Sequence, residues 1–267
     1  GMLIGGFLFG VLGDIKGRVT VLFGSIVLYS VANISNGLVT SIPAYAFVRF
    51  LAGLGLAGEL GAGITLVSET MSKEKRGYGT MLVVTFGALG AVVAALIADE
   101  FSWRMSYFVG GGLGLLLLLL RVRAMESGMF NELPKKDQKV MSFLRIIGKK
   151  ELFIKYLRCI LIGVPVWYVV GILVVFSPEF AEALEVQGAV KGSQAVIWCY
   201  VGLSVGDLLT GLLSQILRSR RRVILGSLFF SAALSATYLY TFGLTDTAFY
   251  LLCFLLGTST GYWGLFV

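Results

Sequence analysis

Nine apolar segments dominate this chain and constrain its fold more than any other feature. Eight of them are about 20 residues long, the length that an α-helix needs to cross the hydrocarbon core of a bilayer, and the first is shorter. Only 14% of the residues are charged, compared with about 25% in soluble domains. The sequence therefore predicts an all-α polytopic membrane protein. The predicted segments are 1–13, 19–40, 43–67, 78–98, 104–122, 159–178, 194–217, 223–243 and 247–267.

The basic residues predict the orientation of these helices. If the turn at 14–18 faces the cytoplasm, the alternate loops do so too, and they hold all but three of the 22 Lys and Arg residues, or 22 − 3 = 19. The three exceptions are Arg49, Arg104 and Lys191. Because Lys and Arg accumulate in cytoplasmic loops, we expect a multi-pass protein that is integral to the cytoplasmic (inner) membrane.

A long polar segment at 123–158 predicts a cytoplasmic linker between two bundles of helices, at 1–122 and 159–267. The sequence GVLGDI at 10–15 also aligns with GLLSQI at 211–216, an offset of 211 − 10 = 201 residues. Gln215 then replaces Asp14, so the second copy keeps the turn and loses the acid. We interpret the chain as two parallel copies of one helical unit that have diverged.

The turn between the first two apolar segments carries a motif. It resembles the loop G-x-x-x-D-R/K-x-G-R-R/K between the second and third helices of major facilitator superfamily transporters. Ile15 and Val19 depart from this pattern, and the matching residues are Gly10, Asp14, Gly17 and Arg18. The resemblance implies the two-bundle fold of that superfamily, with family helices two to ten in this chain and helices one, eleven and twelve absent. It leaves open a fragment or a split transporter, in which a partner chain supplies the missing helices.

Three further motifs resemble the metabolite:proton symporter branch of the superfamily, whose motifs are sugar-porter-like. They are an E-x6-R-G loop from Glu69 to Gly77, the pair Trp103-Arg104, and Glu126-Ser127-Gly128-Met129-Phe130, with Gly128 where proline is usual. The resemblance implies proton-coupled symport by alternating access. It also implies a charge cluster that holds the cytoplasmic side closed, made of Asp14, Lys16, Arg18, Glu69, Arg76 and Glu126. The alternative is that these charges only satisfy the positive-inside asymmetry.

Two charged residues, Arg49 and Glu59, lie within the apolar segment at 43–67. A charge at bilayer depth costs about 3 kcal/mol on insertion scales, so each is expected to face a partner or a wet cavity. They are about 15 Å apart along a helix, which is too far for a direct salt bridge. We expect an unpaired Glu59 to carry or modulate the coupling proton, and Arg49 to attract a negatively charged group. Alternatively, Glu59 pairs with a residue of a helix absent from this chain and is purely structural.

The resemblance also implies which residues line the pathway, because helices one, four, seven and ten do so in the superfamily. The helices present here supply Arg49, Glu59, Trp167, Tyr168, Tyr262 and Trp263. Asp207 is a further acid at bilayer depth, and we expect it to act as a gate or coupling residue. For the aromatic residues, packing or a position at the lipid headgroups is the alternative.

The composition argues against an enzyme. The chain has no histidine, no phosphate-binding G-x-x-x-x-G-K-S/T motif and no metal-ligand spacing. We therefore expect no cofactor, no metal and no nucleic-acid partner. The predicted function is secondary active transport of a small metabolite, with an organic anion or zwitterion favoured and protons as the coupling ion. The alternative is a non-transporting, truncated family member that acts as a sensor or assembly partner.

Overall fold

A computed structural model describes residues 1–72, 76–126 and 150–266, and this part of the chain forms a series of helices. A π-helical turn at Val169–Val174 continues the sixth of them, four residues beyond Pro165. The helices are α1 (Met2–Lys16), α2 (Arg18–Leu38), α3 (Ile42–Thr70), α4 (Arg76–Glu100), α5 (Trp103–Glu126), α6 (Lys150–Tyr168), α7 (Ser177–Ala183), α8 (Gly192–Ile216), α9 (Arg220–Tyr240), α10 (Asp246–Thr260) and α11 (Trp263–Phe266).

Eight spans within the described residues are long and apolar enough to cross a membrane, which confirms the all-α polytopic fold. The span predicted at 159–178 begins earlier, at Lys150, because polar residues continue that helix beyond its apolar part. The span predicted at 247–267 is interrupted, since α10 ends at Thr260 and the chain turns before α11. At this turn the backbone of Gly261 lies against the backbone of Gly206, where a side chain would overlap.

The first compact unit contains α1, α2, α3 and α5. Small residues let its helices approach each other closely. A Cβ atom on Gly55 of α3 would lie 2.9 Å from the carbonyl oxygen of Ser25 in α2, and one on Gly58 would lie 2.6 Å from the ring of Phe9 in α1. Gly55 and Gly58 are therefore points of close contact between α3 and its neighbours.

The second compact unit contains α4 and the helices from α6 onwards. Its core surrounds the π-helical turn, where Leu173 and Val174 are fully buried together with Tyr238 and Phe249. The hydroxyl of Tyr238 donates a hydrogen bond to the carbonyl oxygen of Leu173 at 2.8 Å. The sequence-based division assigns α4 to the first bundle, at 1–122, and that division into functional bundles stays a prediction.

The contact between α1 and α3 in the first unit recurs between α8 and α10 in the second. In each case two glycines lie so close to carbonyl oxygens of the facing helix that a methyl group would overlap them. Equivalent glycines are 201 residues apart, from 202 − 1 and 206 − 5. Equivalent carbonyls are 204 residues apart, from 254 − 50 and 258 − 54. The glycine–carbonyl pairs are Gly1–Phe50 and Gly5–Leu54, then Gly202–Phe254 and Gly206–Thr258.

The turns that follow α1 and α8 repeat as well. Gly17 has φ +91°, and Arg218 has φ +47°. They are separated by 218 − 17 = 201 residues, the offset read from the sequence. The contact glycines and the turns therefore follow the predicted offset of 201 residues, while the facing carbonyls repeat with an offset three residues longer.

Candidate functional site

Glu59 of α3 forms an ion pair with Arg121 of α5. The Nη2 atom of Arg121 donates to Oε1 of Glu59 at 3.3 Å, and the two side chains are 33% and 25% exposed, respectively. The expectation of an unpaired Glu59 is therefore wrong, and its partner lies on a helix that the chain contains. The sequence does not reveal the pair because 62 residues separate its members and Arg121 counts there as a cytoplasmic loop residue.

Arg121 keeps unused hydrogen-bonding capacity beside Glu59. Its Nη1 atom is buried and has no hydrogen-bond partner among the described residues. A guanidinium group presents several N–H donors in a planar fork that matches oxyanions. The pair can therefore bind an additional acceptor, or exchange Glu59 for one.

Arg49 lies exposed on α3 and does not meet Glu59 in the described part of the first unit. Its guanidinium carbon is 5.7 Å from the centre of the Tyr107 ring, a distance at which a cation and an aromatic face attract each other. The sequence predicts that Arg49 and Glu59 are too far apart for a direct salt bridge, and the structure agrees, since Glu59 pairs with Arg121. The contact of Arg49 with Tyr107 was not predicted.

The aromatic pathway candidates divide into two groups. Trp167 and Trp263 pack edge to face with ring centres 5.9 Å apart. Together with Tyr168 they line a largely apolar cavity of about 580 Å³, which Cys159 also borders. Tyr262 instead is fully buried, and its hydroxyl donates to the carbonyl oxygen of Ile162 at 2.8 Å. Three of the four candidates therefore line one cavity. Tyr262 does not line it and is held in the protein interior by its hydrogen bond.

Helix α6 changes its geometry beside this cavity. Pro165 has no N–H, so it cannot make the helical hydrogen bond to the residue four positions earlier. The π-helical turn begins at Val169, immediately after Tyr168. Such turns occur often at functional sites because they redirect side chains and loosen the regular hydrogen bonding.

Asp207 of α8 is 1% exposed and lies where α10 gives way to α11. Its Oδ1 atom accepts a hydrogen bond from the backbone N–H of Gly264 at 3.0 Å. Its Oδ2 atom is buried and has no partner among the described residues. Nearby, Thr210 donates from Oγ1 to the carbonyl oxygen of Gly261 at 2.6 Å. Asp207 is therefore a carboxyl group with one backbone donor and no basic side chain bonded to it in the described residues.

Glycine contacts create the buried position of Asp207. Gly206 and Gly257 bring α8 and α10 together with no room for a Cβ atom on either. A Cβ atom on Gly264 would lie 3.1 Å from Oδ1 of Asp207. Asp207 is thus enclosed by backbone, and a change in the separation of α8 and α10 would expose it.

Most of the predicted charge cluster falls outside the described side chains. Lys16 is exposed at the end of α1. The side chains of Asp14, Arg18, Glu69, Arg76 and Glu126 lie outside the described part, and so do the residues of the 127–149 region. Their roles stay predictions.

The equivalent turn in the second unit is described. The Nη2 atom of Arg220 and the Nε2 atom of Gln215 lie 3.4 Å and 3.6 Å from the position that a Cβ atom on Gly77 would take. Gln215, which replaces the acid of the first copy, therefore lies at the start of α4.

Sequence reasoning missed several residues that the structure brings into these sites. Arg121 and Gly264 contact the two acids, and Tyr45 shares a hydrogen bond with Tyr107 at 2.8 Å between their hydroxyl oxygens. The only sequence signal for Tyr107 is its position four residues, or about one helical turn, after Trp103.

Comparison with known proteins places these features in a family. A profile of the Major Facilitator Superfamily matches residues 1–266. The chain is 32% identical over 174 residues to a candidate niacin/nicotinamide transporter of Bacillus subtilis (strain 168), which covers 64% of the chain and 42% of the relative. It is 32% identical over 177 residues to a sialic acid transporter of Escherichia coli (strain K12), covering 64% and 43%.

A third relative, the 3-(3-hydroxy-phenyl)propionate transporter of Escherichia coli (strain K12), is 31% identical over 134 residues, covering 49% of the chain and 33% of the relative. The alignments span less than half the length of each of these three proteins.

Proposed function

The chain belongs to the Major Facilitator Superfamily, and on that premise we propose that it is a secondary active transporter of a small metabolite, coupled to protons and working by alternating access. Two acids at bilayer depth support proton coupling, and Asp207 is the observation that carries it, because a charged carboxylate enclosed without a cation is costly in a membrane. Protonation removes that cost, and opening of the α8–α10 contact restores access to water.

The relatives support an organic anion as the substrate. They are named as transporters of niacin/nicotinamide, sialic acid and 3-(3-hydroxy-phenyl)propionate, and niacin, sialic acid and a propionate each carry a carboxyl group. A zwitterion with the same carboxyl group is the second possibility from the sequence. The cavity of about 580 Å³ beside Trp167, Tyr168 and Trp263 has the size and the apolar lining of a small-molecule site.

Glu59 and Arg121 supply a means of binding a proton and an anion together. Protonation of Glu59 would remove its charge and release the guanidinium of Arg121, which already has an unpartnered nitrogen. A substrate carboxylate could then take the place of Glu59, with Arg49 adding positive charge on the same helix. This sequence of events binds the proton and the anion together, as symport requires.

Alternating access in this proposal uses the two predicted bundles, at 1–122 and 159–267, joined by the cytoplasmic linker at 123–158. The charge cluster of Asp14, Lys16, Arg18, Glu69, Arg76 and Glu126 would close the cytoplasmic side and separate in the inward-open state. The basic loops support an orientation with this side in the cytoplasm, for a protein of the cytoplasmic (inner) membrane. A partner chain that supplies further helices is compatible with this arrangement.

Proteoliposome uptake with the full-length protein tests the proposal. Wild-type protein should accumulate a radiolabelled carboxylate such as nicotinate when the lumen is alkaline, and only equilibrate it without a proton gradient. Glu59→Gln and Asp207→Asn should each reduce the accumulation ratio to about 1 and keep exchange of internal for external substrate, because a neutral side chain cannot carry a proton.

The control is Asp99→Asn, which alters an exposed carboxylate that accepts from Nε2 of Gln194 at 3.2 Å and should leave accumulation unchanged. If an acid variant loses exchange together with accumulation, that residue is a gate and its coupling role is wrong. If folded wild-type protein transports no member of a carboxylate and zwitterion panel, the sensor or assembly role replaces transport.

A further inference from the structure

A second pocket lies in the first unit, where α2 ends and α3 and α5 begin. It is a cavity of about 390 Å³, and its walls are the loop at 39–41 and the side chains of Tyr45, Trp103, Arg104 and Tyr107. In the orientation that the basic residues predict, these helix ends face outwards. The transport cycle proposed above assigns no role to this pocket.

Three aromatic rings give the pocket a firm frame. Tyr45, Trp103 and Tyr107 pack edge to face, with ring centres 6.2–6.3 Å apart. The hydroxyl oxygens of Tyr45 and Tyr107 are 2.8 Å apart and share a hydrogen bond. Edge-to-face aromatic groups hold one another in defined orientations, so the pocket presents ring surface to a planar ligand with little ordering of side chains.

Arg104 supplies a fixed positive charge at the rim. Its guanidinium carbon is 4.6 Å from the centre of the Trp103 ring, and its Nη2 atom donates to the carbonyl oxygen of Val39 at 3.4 Å. Val39 is its only hydrogen-bond acceptor among the described residues, so most of its five N–H donors point to no protein acceptor there. A guanidinium held by a ring and a carbonyl is arranged in advance to bind a carboxylate through two hydrogen bonds.

The distribution of charge along the whole chain singles out this place. Only three basic residues fall outside the predicted cytoplasmic loops, and two of them, Arg49 and Arg104, border this cluster of rings. Arg49 lies against the ring of Tyr107, four residues and thus about 6 Å along α3 from Tyr45. Two of the three basic residues on the predicted outer side therefore lie at this one cluster of rings, and the third, Lys191, belongs to the second unit.

We propose that the pocket is an outer binding site for a planar carboxylate, in which Arg104 binds the carboxylate group and the rings of Tyr45, Trp103 and Tyr107 contact the rest of the molecule. The ligand then passes along Tyr107 to Arg49. This inference rests on the proposed function in one respect, that the ligand is the transported anion. A lipid phosphate offers related oxyanion chemistry, but the aromatic lining and the cavity volume fit a free small molecule.

Fluorescence of Trp103 provides a binding test that does not depend on transport. The sequence has four Trp residues, so Trp167→Phe, Trp198→Phe and Trp263→Phe together leave Trp103 as its reporter. In nanodiscs of phosphatidylcholine, nicotinate should quench Trp103 saturably, whereas nicotinamide, with the same ring and no carboxylate, should not. Arg104→Gln should weaken nicotinate binding by about tenfold or more, because it removes a charge-assisted pair.

The matched control is Arg158→Gln, an exposed arginine of the second unit, which should leave the quenching curve unchanged. Arg104→Lys keeps the charge without the planar fork and should bind with intermediate affinity, so it also covers a failure of Arg104→Gln to fold. Equal quenching by nicotinamide, or an unchanged curve for both Arg104 variants, would overturn the assignment. So would loss of nicotinate quenching in nanodiscs that contain phosphatidylglycerol, since a lipid would then occupy the pocket.

The two proposals can fail separately. If nicotinate is transported but does not quench Trp103, the outer site is wrong and the transport function stands. If no carboxylate is transported, the transport function is wrong, and the outer site loses its role in transport even where quenching occurs.

Discussion

Glu59 and Asp207 are both carboxylates within membrane-spanning helices, and the two units of the protein enclose them differently. Glu59 in the first unit contacts a guanidinium at 3.3 Å and is partly exposed. Asp207 in the second unit is 1% exposed and accepts one hydrogen bond from a backbone N–H. Among the described residues, the first acid is stabilised by an opposite charge and the second by one backbone N–H dipole.

The internal repeat makes this difference informative. Glu59 corresponds to Trp263 in the second unit, from 59 + 204 = 263, and Asp207 corresponds to Gly6 in the first, from 207 − 201 = 6. The acid therefore lies on the second helix of the repeated contact in one unit and on the first helix in the other. Both units have the close backbone packing, but the side chains at equivalent positions differ. The two acids therefore do not have equivalent roles by symmetry.

The largest expected effect concerns the contact that buries Asp207. Gly206→Val places a branched side chain against the carbonyl oxygen of Thr258, where even one methyl group overlaps. We expect a loss of about 2 kcal/mol or more in stability, since overpacking forces the helices apart. The measurement is the fraction of protein that stays folded after heating, determined by size-exclusion chromatography in detergent.

Gly226→Val is the matched control, because a Cβ atom on Gly226 of α9 meets no described atom within 4 Å. Equal losses for the two valine variants would show that the α8–α10 contact does not determine the environment of Asp207.

A smaller effect is expected from the Glu59–Arg121 pair. Arg121→Gln leaves Glu59 without its cation, so it should destabilise the protein more than the double variant Arg121→Gln/Glu59→Gln does. We expect a coupling energy of about 1 kcal/mol in a double-mutant cycle of thermal stability. Strict additivity of the two single changes would mean that the pair contributes nothing and that Glu59 and Asp207 differ less than their surroundings indicate.

The smallest effect concerns the two equivalent turns. Gly17 has φ +91° and ψ 148°, a conformation that side chains disfavour, whereas Arg218 holds a side chain at φ +47°. Gly17→Ala should therefore lower stability by about 1 kcal/mol, and Arg218→Gly should raise it by a few tenths to about 1 kcal/mol. Thermal unfolding of both variants checks this. If Arg218→Gly does not stabilise the protein, the proposed equivalence of the turns is contradicted.

Much of the fold could be predicted from the sequence because a membrane helix satisfies its backbone hydrogen bonds within its own segment. The eight spans follow from local hydropathy. The interruption after Thr260 was not predicted, because it depends on the fit of Gly261 against Gly206 across 55 residues of sequence, from 261 − 206. Similarly, Trp167, Tyr168 and Trp263 could be selected as candidates, but only packing separates them from Tyr262.

The amino-acid sequence by itself determined which segments are helical, how often the chain can cross a membrane and where its two related copies align. Tertiary structure alone decided that Glu59 meets Arg121, that Asp207 is enclosed by the backbone around Gly264 and that Arg104 borders an aromatic pocket. The physical reason is range: hydropathy and helix formation act within about 20 consecutive residues, whereas an ion pair or a buried carboxyl depends on atoms that only helix packing brings within about 3–4 Å.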